Sequence, residues 1–127
     1  MESKLDLLAY RAAKHILRNK NLLISAGAGM GVDSGLPVFR GKEGLWAHYP
    51  YFKTTGMEFY EASSPSFFRS KPAHFWYYMG HRYNMYSEKE PHEGYKILLK
   101  ICEEFKKENH FVFTSNVDGH FLKTGFN

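Results

Sequence analysis

Residues 22–41 read Leu22-Leu23-Ile24-Ser25-Ala26-Gly27-Ala28-Gly29-Met30-Gly31-Val32-Asp33-Ser34-Gly35-Leu36-Pro37-Val38-Phe39-Arg40-Gly41. The opening, Leu22 to Ser25, predicts a strand apolar enough to be covered on both faces. It runs straight into a glycine-rich turn, which exposes backbone N–H groups where a helix begins, a natural seat for a phosphate. Gly27, Gly29 and Gly31 lack the Cβ atoms that would hold an anion or a neighbouring backbone at a distance. The turn made by Gly27, Ala28, Gly29, Met30 and Gly31 is therefore a candidate nucleotide-binding element. Its plain alternative is a tight strand-to-helix turn. The usual dinucleotide fingerprint would carry another glycine at Val32, so the turn alone does not decide between them.

A second polar cluster sits near the other end of the chain. Phe111-Val112-Phe113 predicts a strand, followed by Thr114-Ser115-Asn116-Val117-Asp118-Gly119-His120. Asn116 and Asp118 thus lie just beyond the C-terminal end of a strand, where ligands enter the crevice of an open parallel sheet. The alternative is an Asx-rich turn stabilised by its own backbone.

The first motif, continued through Phe39-Arg40-Gly41 to Glu43-Gly44-Leu45-Trp46, and the second, taken in this order, resemble the sirtuins, the NAD-dependent protein deacylases. The resemblance runs from about Leu22 to Gly125 and corresponds to the front part of that family's catalytic domain. It implies an α/β fold: a partial Rossmann-like, sirtuin-type parallel sheet with flanking helices and a helical insertion. Residues 1–127 would form an incomplete NAD-binding domain, with 36–56 as cofactor loop and 57–90 as helical insertion. By the same resemblance the glycine turn approaches the NAD phosphates. Phe39 shields a reactive ribose, Arg40 holds phosphate oxygens, and Trp46 belongs to the cofactor loop. Asn116 is an auxiliary catalytic residue ordering a water or ribose, Val117 lies beside it, and Asp118 binds the nicotinamide amide. Five positions depart from the family pattern. Gly31 stands for Ser, Val38 for a frequent Asp, Ser115 for Gln, and His120-Phe121 for Leu-His.

The implied reaction moves an acyl group from a lysine of a protein or peptide to ADP-ribose, with release of nicotinamide. Alternatives are mono-ADP-ribosyl transfer by the same pocket and a non-catalytic NAD-binding or interaction fragment. The family's general base is a histidine in a His-Gly pair. None of His15, His48, His74, His81, His92, His110 or His120 precedes a glycine, so the 127 residues alone are expected to turn over poorly. His120 is expected to be structural or solvent-facing. No zinc is expected on this chain, because a zinc module needs paired cysteines and Cys102 is the sole cysteine. That single cysteine and a polar start, Met1-Glu2-Ser3-Lys4, point to an intracellular setting, cytoplasmic or nuclear.

Composition narrows the other classes. No apolar run approaches the roughly 20 residues of a membrane span. Seventeen Lys and Arg against thirteen Asp and Glu make the chain basic, but the cations are scattered over helix faces, which argues against tracking a nucleic-acid backbone. Leu5, Leu8, Ala12 and Ile16 predict an amphipathic helix of about four turns. A short helix is expected from Gly31 or Val32, and 36–56, with Pro37, Gly41, Gly44 and Pro50, has no clean period and reads as loop. Helices are predicted over 57–62, 66–69, 72–86 and 92–107. On the aromatic one, Phe75, Trp76, Met79 and Tyr83 read as core. The resemblance sets Met79 and Arg82 at the Tyr-x-x-Arg positions of sirtuins that remove acidic acyl groups, so the tyrosine is missing there. Tyr78, four residues before Arg82 and on the same face, leaves a substitute pair as the alternative to plain helix core. Only two strands emerge, a poor core by themselves, so the chain is expected to be part of a larger α/β domain.

Overall fold

The computed structural model of the protein describes residues 3–39, 41–105 and 109–127. Helix α1, Lys4–Arg18, begins at a capping box: Ser3 Oγ accepts from the Asp6 amide and Asp6 accepts from the Ser3 amide at 2.9 Å. Those hydrogen bonds hold the Asp6 carboxyl below its ordinary range. Strands β1, Leu22–Ala26, and β2, His110–Thr114, pair in parallel, with Leu22 opposite His110 and Ala26 opposite Thr114. Alternation along the pleat sends Ile24 and Val112 into a core. The expectation that the strand is covered on both faces fails. Leu23, Phe111 and Phe113 are 66%, 66% and 64% exposed, and α1 buries none of its side chains. One face of the sheet and the apolar stripe of α1 have no apolar cover among the described residues.

Between the strands the chain is helical. A 3-10 helix, Ala28–Ser34, starts three or four residues earlier than the sequence suggested, because Met30 N already donates to Gly27 O at 2.9 Å. Gly35 ends it at φ +78°. The stretch read as loop instead holds α2, Gly41–His48, and α3, Pro50–Thr55. Its prolines and glycines were boundaries: Pro50 occupies the first turn of α3, where a missing N–H costs nothing, and Gly56 at φ +66° closes it. Leu45, Tyr49 and Phe52 bury themselves across that break.

Helices α4, Phe59–Ala62, and α5, Pro65–Ser70, are short and capped, the latter by Ser64 Oγ on the Phe67 amide. Helix α6, Pro72–Glu88, buries Tyr78 and Arg82. Phe75 and Met79 pack inward as expected, whereas Trp76 and Tyr83 are 61% and 72% exposed. Aromatics surround this helix on all sides, so periodicity could not tell which stripe would meet α5. Helix α7, Glu93–Phe105, faces the sheet with Tyr95 and Cys102 fully buried; the expected end at Lys107 lies outside the described residues. Helix α8, His120–Thr124, stops at Gly125.

Among the described residues two hydrophobic clusters form, with no member in common. One joins Phe39, Leu45, Tyr49, Phe52, Ala62, Phe67 and Tyr78; the other joins Ile24, Tyr95, Cys102, Phe121 and Phe126. Among the described residues no helix is long and apolar enough to cross a membrane.

Candidate functional site

Parallel pairing puts the C-terminal ends of β1 and β2 side by side, so the loops leaving the two strands meet at one edge. The link is made by side chains. Thr114 Oγ1 donates to Ala26 O at 2.9 Å and accepts from the Asn116 amide at 3.1 Å. Asn116 Nδ2 donates to Gly27 O at 2.9 Å. The loop after β2 is thereby tied to the glycine turn after β1.

A cleft of about 170 Å³ opens at this edge, along the seam between the two clusters. One wall carries Ala28, Ser115, Asn116, Val117 and Asp118; the other carries Leu36, Pro37, Phe39, Phe59, Arg82 and Tyr86. Of the candidate residues, Ala28, Phe39, Asn116, Val117 and Asp118 therefore line one hollow. Gly27 adjoins it through its carbonyl. Gly31 is buried against Leu36, and Met30 faces the sheet core while its carbonyl meets His92 Nε2 at 2.9 Å. Trp46 is not part of this lining: it packs on the aromatic cluster and its indole N–H donates to Met57 O at 2.9 Å. Arg40 lies outside the described residues, as does the side chain of Glu43.

The glycine turn is held from beneath. His92 N donates to Ser34 Oγ at 2.9 Å, and the Gly94 amide donates to His92 Nδ1 at 3.0 Å. With Nδ1 accepting from the Gly94 amide, Nε2 is assigned as the donor to Met30 O. A Cβ built on Gly27 or Gly29 meets nothing within 4 Å, so the turn is open on its outer side. The first N–H groups of the 3-10 helix have no partner within that helix. An open backbone cradle of this kind fits a phosphate or ribose.

Asp118 serves two neighbours. Its Oδ1 accepts from the His120 amide at 2.9 Å, which closes an Asx turn, and the residue still borders the cleft. His120 itself is fully buried, not solvent-facing; neither ring nitrogen has a hydrogen-bond partner among the described residues. Its ring meets that of Tyr95 edge-on at 5.5 Å. Burial, with the Asp118 charge adding to it, pushes the Tyr95 phenol up to about 12.

The opposite wall holds a buried cation. Arg82 is 8% exposed; its Nε and Nη2 donate to Tyr86 OH at 3.1 and 3.0 Å, and Nη1 donates to Tyr78 OH at 3.3 Å. Its guanidinium lies 5.2 to 5.5 Å from the ring centroids of Tyr78, Phe59, Phe39 and Tyr86. Among the described residues no carboxylate pairs with it. Sequence reasoning missed Tyr86 and Phe59. The signal for Tyr86 was its spacing, four residues beyond Arg82 and eight beyond Tyr78 on one helix face; nothing local marks Phe59. Among the described residues no three His, Cys, Asp or Glu side chains are grouped to hold a metal ion.

Comparison with known proteins bears on the family and the fold. A family model described as the Sir2 family matches residues 27–127. An NAD-dependent protein deacylase of Aquifex aeolicus is 36% identical over 109 residues, covering 86% of this chain and 41% of that protein. An NAD-dependent protein deacetylase of Bacillus subtilis is 32% identical over 108 residues, covering 84% and 40%. Among solved structures, a Sir2 homologue in complex with NAD superposes with a TM-score of 0.72 at 27% identity, over 93% of this chain and 42% of that one. A mutant Sir2 homologue in complex with 2'-O-acetyl ADP-ribose gives 0.73 at 27% identity, over 92% and 43%. The chain thus spans about two fifths of the length of these relatives. With a family match over most of its length and a partial Rossmann-like fold shared with Sir2 structures, the chain belongs to the Sir2 family.

Proposed function

We propose that this chain supplies the nicotinamide-side half of an NAD site in a protein-lysine deacylase. In the whole protein the acyl group would pass from lysine to ADP-ribose with release of nicotinamide. One observation carries the reading: Asn116 Nδ2 bound to Gly27 O, which sets the polar loop after β2 beside the open glycine turn in one cleft. Bound NAD would supply the activated ribose–nicotinamide bond. The volume of about 170 Å³ falls below the roughly 300–1,000 Å³ of a site for a drug-sized ligand, which fits part of a dinucleotide better than all of it.

The residues divide the work. The turn N–H groups at Ala28 and Gly29 face the phosphates, with Arg40 as their cationic partner. Phe39 keeps water from the ribose face. Asn116 orders a polar group at the reacting end, and Asp118 accepts from the carboxamide with the oxygen not used on His120. Residues 1–127 then make an incomplete NAD-binding domain, with 36–56 on the cofactor side and 57–90 as helical insertion. For the acyl end, Arg82 favours a carboxylate-bearing acyl group. It is a buried cation on the cleft wall that has hydroxyls, aromatic faces and the Met79 sulfur around it and no carboxylate partner among the described residues.

Titration calorimetry of residues 1–127 with NAD tests the first claim; saturable binding that weakens roughly tenfold or more in Asn116→Ala is the expected result, and no binding by the native chain overturns it. Turnover of an acyl-lysine peptide by these residues alone is expected to be negligible, because no His-Gly pair is present.

A further inference from the structure

Among the described residues the two hydrophobic clusters have no member in common, so contacts outside them bear on how the two walls of the cleft are fixed. Helix α6 reaches the cleft with Arg82 and Tyr86 and then ends without a glycine, at Lys89 in an extended conformation. A helix finished this way leaves its last carbonyls without partners. Here they have one. Lys123 Nζ, on α8, donates to Tyr86 O at 3.2 Å, Ser87 O at 2.8 Å and Lys89 O at 2.9 Å.

We propose that Lys123 is a positioning residue whose ammonium clasps the end of α6 to α8 and so sets the width of the cleft. The chemistry suits lysine. An ammonium has three N–H donors and meets three converging carbonyls. Its charge also opposes the negative end of the α6 dipole. Glu90, 3.9 Å from the ammonium and 84% exposed, adds little. The clasp is placed to matter: Tyr86 lines the wall and also supplies one of the accepting carbonyls, and α8 begins two residues after Asp118, on the other wall. Releasing Lys123 frees the last turn of α6 to move relative to the Asn116–Asp118 loop.

The effect on the cofactor rests on the proposed NAD site; the effect on wall geometry does not. The test therefore has two arms. Spin labels on cysteines replacing Tyr83 on α6 and Lys100 on α7, both exposed, report by pulsed electron resonance in the full chain how far α6 stands from the cluster that joins α7, α8 and the sheet, while Cys102 stays buried and unlabelled. A narrow distance distribution in the native background, broadened in Lys123→Met and largely recovered in Lys123→Arg, is the expected result. An unchanged distribution in Lys123→Met overturns the proposal. In the second arm NAD affinity falls about tenfold in Lys123→Met and returns most of the way in Lys123→Arg. A broadened distribution with unchanged affinity also overturns the positioning role. No binding by the native chain removes the NAD reading and leaves the distance arm to decide the clasp. Should Lys123→Met fail to fold, Lys123→Gln, which keeps a donor, takes its place under the same criteria.

Discussion

The side-chain amide of Asn116 donates to the carbonyl oxygen of Gly27 at 2.9 Å, across 89 residues of sequence. The bond occupies one donor of Asn116, and the residue also lines the cleft. It couples the shape of the glycine turn to the position of the polar loop, so a ligand touching either senses both. Asn116→Ala is expected to cost about 1 kcal/mol of stability and roughly tenfold or more in NAD affinity. Urea unfolding and calorimetry on the same samples separate the two effects; affinity kept while stability falls would make the bond architectural only.

Two glycines make a contrast that reports where a ligand comes close. A methyl on Gly29 meets nothing within 4 Å, so Gly29→Ala should leave stability within about 0.5 kcal/mol. A fall in NAD affinity in that variant then reflects contact with the cofactor. Gly44→Ala is the opposite case, since its Cβ would collide with the carbonyl oxygen of Val38. That contact is backbone and cannot swing aside, so a loss of about 2 kcal/mol or more is expected from overpacking, read as a lower unfolding midpoint.

Stability should fall on the alkaline side. Burial raises the Tyr95 phenol from 10.0 to about 12 in the fold, and burial also raises Tyr78. A group that holds its proton more tightly when folded contributes fully below its unfolded pKa and loses that contribution as pH rises through the folded one. The decline is therefore expected from pH 10 toward about 12. Tyr95→Phe should flatten it. Because the hydroxyl has no hydrogen-bond partner among the described residues, the same change should be neutral or mildly stabilising at pH 7. Denaturant titrations across pH check both.

Tyr86→Phe removes two hydrogen bonds to Arg82, leaving the buried guanidinium only Tyr78 among these hydroxyls. A loss of about 1–3 kcal/mol is expected, the cost of stranding a buried polar group. Tyr83→Phe, on the exposed side of the same helix, should cost nothing measurable. If the two variants melt alike, the hydroxyl network does not hold the cleft wall.

The open sheet face is expected to make the chain self-associate. Leu23, Phe111 and Phe113 line one side of the sheet and are each about two-thirds exposed, and patches of that kind drive association. Leu23→Thr with Phe113→Thr should lower the sedimentation-detected association while changing unfolding free energy by less than about 1 kcal/mol. Association that persists would place the contact elsewhere, with the stripe of α1 next to be tested.

What the sequence determined by itself is local chemistry. The strand-to-glycine-turn junction at Ala26-Gly27 comes from apolar and glycine order. The starts at Ser3, Ser64 and Pro72 come from capping and from the fixed φ of proline, and the place of Asn116 and Asp118 after a strand comes from periodicity. Each depends on a few neighbouring residues, whose preferences survive in any fold that contains them. Tertiary structure decided which faces are covered and which distant side chains meet. It chose Tyr78 and Arg82 over Trp76 and Tyr83, turned 41–55 into two helices, left the Leu23 side of the sheet open, and brought Phe59, Arg82 and Tyr86 opposite Asn116. Those outcomes depend on which surfaces lose water against each other, a property of pairs far apart in the chain. An aromatic run with side chains on every face, such as 75–86, carries no record of that choice.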